Sequence, residues 1–120
     1  MPFVRSKVNC TITEEQEIQL KSGLGRAIEL IPGKTEEYLL LSFEDKCSLW
    51  LRGRKDEPAA YIEAAVFGNE YHTGYMAFTR EVTRIFREVL NIPAGNIYIR
   101  FEDIKAWGTG TQYIGSAMFR

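Results

Sequence analysis

The sequence predicts an α/β (α+β) fold: two β-α-β repeats forming a four-stranded mixed sheet with two helices on one face. Three observations predict it. Short apolar runs alternate with longer stretches whose apolar residues recur at helical spacing. The second half of the chain repeats the apolar pattern of the first. Two of the expected strands are apolar on both sides, so the sheet face away from the helices calls for a partner, and a second copy of the chain is the simplest one.

Phe3–Val8 is the first strand. Thr13-Glu14-Glu15-Gln16 then forms a capping box, with a hydroxyl at N-cap, Gln at N3 and two carboxylates where the helix dipole favours them. Leu20, Leu24, Ala27, Ile28 and Ile31 make one apolar helix face, which Pro32-Gly33 ends. Tyr38–Phe43 reads as a buried strand, Ser48–Leu51 as a short edge strand and Gly53–Pro58 as a loop. The pattern then restarts. Tyr61–Val66 is a strand, Phe78, Val82, Ile85, Phe86 and Val89 are a helix face, Ile92-Pro93-Ala94-Gly95 breaks it, and Ile97–Phe101 is the last long strand.

The halves superimpose without a gap. Phe3 and Val4 fall on Tyr61 and Ile62, the first helix face falls on the second residue by residue, and Phe43-Glu44-Asp45 falls on Phe101-Glu102-Asp103. An internal duplication over about 2–45 and 60–103 within one domain, 1–120, accounts for this. A right-handed crossover makes the strands of each repeat parallel.

Composition narrows the function. With 15 basic and 16 acidic residues the formal net charge is −1, which offers no footprint for nucleic acid or a membrane surface. Nothing approaches the roughly 20 apolar residues of a spanning helix. Met1-Pro2-Phe3-Val4-Arg5 is not a charged region followed by an apolar one, so no signal peptide and a cytoplasmic location are expected. Cys10 and Cys47 form no CxxC pair and are expected as free thiols, and with His72 the only histidine neither a metal nor another cofactor is expected.

Pro2 is the residue with unusual chemistry. Inside a chain proline is an amide, but at the start of a chain it is a rigid secondary amine that takes a proton. A small second residue favours enzymatic removal of Met1, and Arg5 and Lys7 on the same strand would help keep such an amine neutral. The structural alternative is a proline tolerated at the first position of a strand.

Met1-Pro2, Gly33-Lys34 with Tyr38 before the second strand, Glu57-Pro58 before the third, Asn96-Ile97-Tyr98-Ile99 and Asp103 occur in an order and spacing that resembles the tautomerase superfamily, and within it the macrophage migration inhibitory factor-like proteins. The resemblance covers nearly the whole chain. It implies a homotrimer whose sheets surround a central channel, with three sites between subunits. It also implies cofactor-independent keto–enol tautomerisation of α-keto acids such as phenylpyruvate, with Pro2 as proton shuttle. It places Lys34 as the cationic site residue, Tyr98 as an aromatic residue given by the neighbouring subunit, Phe67 near an apolar wall, and Phe119 in the tail among the substrate-binding residues. The chain departs from the pattern at Arg100, where the best-known members carry Asn. It has Ala59-Ala60-Tyr61-Ile62 where some carry a CxxC, so no thiol–disulfide activity is implied, and its tail from Trp107-Gly108 onward is longer.

Proton abstraction beside a carbonyl needs a base whose pKa lies near the working pH. Burial against Phe3 and Phe67 and the charges of Lys34 and Arg100 would lower an amine to that range, and the same cations suit a substrate carboxylate and an enolate oxygen. Tyr98 would bond the carbonyl or simply pack. Each has a plainer reading: Lys34 as a helix C-terminal cation, Arg100 as a surface partner of Glu44 or Glu102. The function alternatives are a non-catalytic trimeric protein-binding module, and a different reaction of a small carboxylate, such as dehalogenation or decarboxylation.

Overall fold

The structure, a computed structural model, describes residues 1–115. In chain order it contains β1 (Pro2–Val8), α1 (Glu14–Ala27), β2 (Leu40–Glu44), β3 (Ala60–Phe67), α2 (Tyr75–Leu90), β4 (Ile97–Ile104), β5 (Ala106–Thr109) and β6 (Gln112–Gly115). The main sheet has the order β2-β1-β3-β4, as the sequence predicts in number and mix. β1–β2 and β3–β4 are parallel and the central β1–β3 pair is antiparallel. Equivalent positions of the two halves share one register: Phe3 lies opposite Leu40 as Tyr61 lies opposite Tyr98, and at the centre Arg5 faces Glu63. A separate antiparallel hairpin, β5–β6, lies in the tail that the sequence leaves without structure.

Both helices cover one face. Val4 and Val8 of β1, with Ile62, Ala64 and Val66 of β3, pack with Leu20, Leu24 and Ile28 from the first helical stretch and Phe78, Val82 and Phe86 from α2. All are essentially sealed from solvent. A fully buried Leu, Ile or Phe is worth about 1.5–3 kcal/mol, so this layer is the main source of stability. The Thr13 capping box forms as predicted: Gln16 N–H donates to Thr13 Oγ1 at 3.1 Å and Thr13 N–H to Gln16 Oε1 at 3.0 Å. The helical stretch ends earlier than its apolar spacing suggests, tightening into a 3₁₀ turn at Ile28–Leu30, and a second such turn occupies Glu36–Tyr38 ahead of β2.

Two expectations change. The open face of the sheet is not apolar throughout. Strand alternation places Arg5, Glu63 and Arg100 side by side on it, with Arg5 and Arg100 both bonded to Glu63, the latter at 3.0 Å. Burial pushes the Glu63 carboxyl up, but hydrogen bonds from Arg5 and Tyr61 outweigh it and hold the carboxyl below its usual range. The apolar residues flank this polar row, Leu40 and Tyr98 being 64% and 54% exposed. Ser48–Leu51 is not a strand, because among the described residues it pairs with no strand. Leu51 bridges only to Arg54 across a turn at Arg52-Gly53, whose φ angles are 53° and 77°.

Gly74 opens α2 with φ +84°, and a Cβ there would overlap the Leu30 carbonyl oxygen. Gly74→Ala should therefore lower stability by about 2–4 kcal/mol. Chemical denaturation checks this, with Gly95→Ala as the tolerated comparison, since nothing crowds that position.

Candidate active site

Pro2 is buried at the first position of β1, opposite Val66. A strand's first residue tolerates proline, because the missing N–H leaves no gap in the ladder. Met1 precedes it, and its α-amine is the chain's terminal amine here.

Lys34 reaches this point from the other side. The chain leaves the 3₁₀ turn after α1, reverses at Gly33 with φ +79°, and returns Lys34 N–H to the Ile31 carbonyl at 3.1 Å. The Lys34 Nζ then donates to the Phe67 carbonyl at 2.6 Å, at the end of β3 and beside the Pro2–Val66 pair. Burial first, then the charge of Lys34 and a hydrogen bond with its side chain, bring the terminal amine from 8.0 down to about 6. An amine with that value is mostly neutral at pH 7 and able to accept a proton.

The amine opens into a cavity of about 310 Å³. Tyr38 and Ile114 give it apolar walls, while Thr35, Thr109 and Gln112 add polar atoms at its margin. The β5–β6 hairpin forms one side. Its two-residue turn carries Gly110 at φ 58°, as a type II′ turn requires at its first central position. On β5, the Trp107 indole N–H donates to the Met1 carbonyl at 3.2 Å.

The structure thus brings together Pro2, Lys34 and the backbone of Phe67. The side chains of Phe3 and Arg100 lie elsewhere in the chain, lining a second cavity on the open face with Arg5 and Glu63. Phe3 does not line the cavity at Pro2, whose apolar walls come from Tyr38 and Ile114. Arg100 takes the surface pairing with Glu102, at 3.7 Å, and adds Glu63. Tyr98 lies five residues along β4 from Asp103, the residue level with Val66 and so with Pro2, which is about 16 Å. It lines a third cavity with Trp50 and Leu51. Phe119 lies outside the described residues.

Sequence reading did not assign Trp107, Tyr38 or Ile114 to the site. Tyr38 stands within the resemblance motif, and the Thr109-Gly110-Thr111-Gln112 turn was the available sign of a hairpin. Elsewhere, burial pushes the Cys10 thiol above its ordinary value, which makes it a poor nucleophile. Among the described residues no group of three or more His, Cys, Asp or Glu side chains is placed to hold a metal, and no helix is long and apolar enough to cross a membrane.

The fold has many solved counterparts. The structure is similar to that of Leishmania major MIF2 (TM-score 0.87, 23% identity, covering 95% of this chain and 97% of that one). It is similar to the macrophage migration inhibitory factor homologue from Prochlorococcus marinus (TM-score 0.83, 23% identity, 94% and 99%). It is also similar to Pt0534 inactivated by 2-oxo-3-pentynoate (TM-score 0.81, 16% identity, 98% and 99%). At these identities the likeness shows the fold. No curated protein matches the chain by sequence. The sequence profile of macrophage migration inhibitory factor (MIF) matches residues 1–119, and the chain belongs to that family.

Proposed function

We propose that this chain is a cofactor-independent keto–enol tautomerase of small α-keto acids such as phenylpyruvate, in which the Pro2 amine moves the proton once Met1 has been removed. The observation that carries the reading is the terminal amine beside Lys34, brought down to about 6 by burial and by that neighbouring cation. When Met1 leaves, the terminal amine becomes that of Pro2, one residue away and at the buried start of β1, where burial and Lys34 act in the same direction. Its neutral amine takes a proton from the carbon next to the substrate carbonyl, the electron pair moves onto the carbonyl oxygen, and a proton returns to that oxygen. Keto becomes enol, and the amine is restored. Lys34 binds the substrate carboxylate. Pt0534, which shares the fold, is inactivated by a small 2-oxo acid, and that chemistry agrees with a keto-acid site here.

The working unit in this reading is a homotrimer, with Tyr98 and Arg100 of a neighbouring subunit completing each site. Family membership supports it, as do the exposed Leu40, Trp50 and Tyr98 around the open sheet face. The test uses protein whose intact mass shows that Met1 is absent. It should have the mass of three chains by light scattering at micromolar concentration and should ketonise phenylpyruvate enol without added metal. A monomer would remove the intersubunit site, and a trimer without turnover would favour a protein-binding module.

A further inference from the structure

The Met1 residue occupies the volume that opens at Pro2 when it is removed, and the contacts it makes there show which groups that volume offers. Its carbonyl oxygen is bonded through one carbon to Pro2 N, so the two atoms are about 2.3 Å apart. Trp107 Nε1 lies 3.2 Å from that oxygen. Trp107 Nε1 and Pro2 N are therefore within about 5.5 Å of each other. Removal of Met1 deletes the acceptor but leaves the donor. The indole N–H is half-buried on β5, fixed by the hairpin register that sets Trp107 opposite Ile114, a wall of the same cavity. The donor left without its protein acceptor offers a hydrogen bond to an oxygen that enters there.

We infer that Trp107, through its indole N–H, holds the carbonyl oxygen of the keto acid on the side of Pro2 where the Met1 carbonyl oxygen sits in the unprocessed chain, displaced outward to a non-bonded distance from Pro2 N. Resting on the tautomerase reading, this makes Trp107 a direct substrate contact. The oxygen it holds gains negative charge as Pro2 removes the proton, so the hydrogen bond strengthens along the reaction. Lys34, whose ammonium also lies beside the terminal amine, is then left for the carboxylate. The two donors together orient a 2-oxo acid, and a simple ketone that lacks the carboxylate engages only Trp107.

The experiment compares protein with and without Met1, each verified by mass, and follows the indole ¹H–¹⁵N resonances. Trp107→Phe assigns the resonance and keeps the ring while deleting the N–H. The Trp107 resonance should move upfield when Met1 is removed and return downfield when phenylpyruvate is added. In Met1-free Trp107→Phe, kcat should fall by about 100-fold, the size expected for one oxyanion donor. The acid limb of its pH profile should stay in place, because no charge has been removed. A resonance that phenylpyruvate leaves unmoved, or full kcat in Trp107→Phe, overturns the inference. Should Trp107→Phe fail to fold, the resonance of the unsubstituted chain decides. Where phenylpyruvate moves the resonance yet no turnover occurs, the oxygen contact stands and the tautomerase reading fails.

Discussion

Protein that retains Met1 should turn over phenylpyruvate about 10²–10⁴-fold more slowly than protein that has lost it, the range that general acid–base catalysis contributes. The reason is electronic before it is steric. With Met1 present, Pro2 N is an amide nitrogen whose lone pair is delocalised into the carbonyl, so it has no basicity to offer. The methionine amine is a base with a suitably low value, about 6, but it stands one residue before Pro2. The Met1 carbonyl meanwhile occupies the Trp107 donor. Displacing a proton acceptor by a full residue destroys the near-attack geometry that makes an intramolecular base effective. Pro2→Gly separates these effects. It keeps a terminal amine at the right position but makes it primary and free to rotate, so activity should fall by less than in the retained form. Pro2 is buried but lies outside the hydrophobic core cluster, so assembly should survive the change. Parallel measurement of intact mass, oligomer mass and turnover on one preparation checks all three. Full activity with Met1 proven present would exclude Pro2 as the base.

The parts of the molecule that could be read from sequence are those with a period. The apolar faces from Leu20 to Ile31 and from Phe78 to Val89, and the strands between them, rest on helix and strand repeats that one chain displays by itself. The Thr13 cap is legible for the same reason, since its partner is three residues away. The polar row Arg5–Glu63–Arg100 belongs to three strands and exists only once their register is known, so the apolar run around Leu40 misrepresents the face it belongs to. Pro2 and Lys34 stand out through chemistry and resemblance. That Lys34 reaches the Phe67 carbonyl depends on a loop path with no periodicity. Phe3 is different: strand alternation alone shows that its side chain and that of Pro2 lie on opposite faces of the sheet. Trp107 lies in a stretch rich in Gly and Thr whose strands are four residues each, too short to show an alternation.

Lys34→Ala should lower kcat/KM for phenylpyruvate by about 10²-fold or more and move the acid limb of the pH profile upward. Two separate roles of one ammonium group produce this. The first is substrate binding: a charge-assisted hydrogen bond to a carboxylate in a half-closed cavity is worth about 1.5–3 kcal/mol. The second is its field. A cation beside an amine disfavours the amine's protonated form, as Lys34 does for the Met1 amine, so its removal should let the value of the Pro2 amine rise. The active form of the base is the neutral one. A higher pKa means that less of it exists at pH 6–7, and the midpoint of the acid limb therefore shifts to higher pH. The shift should be incomplete, because burial, the larger cause at the Met1 amine, also acts on the buried Pro2 and stays when Lys34 is gone. Lys34→Met keeps most of the side-chain volume without the charge, and should show the same limb shift with less change in packing. Arg100→Ala should move the limb less, even if a neighbouring subunit brings it to the site. Its guanidinium is already engaged by Glu63 at 3.0 Å and Glu102 at 3.7 Å, and those carboxylates cancel much of its field. An acid limb that stays fixed in both Lys34 variants would show that burial alone sets the amine, leaving Lys34 only its part in binding the carboxylate.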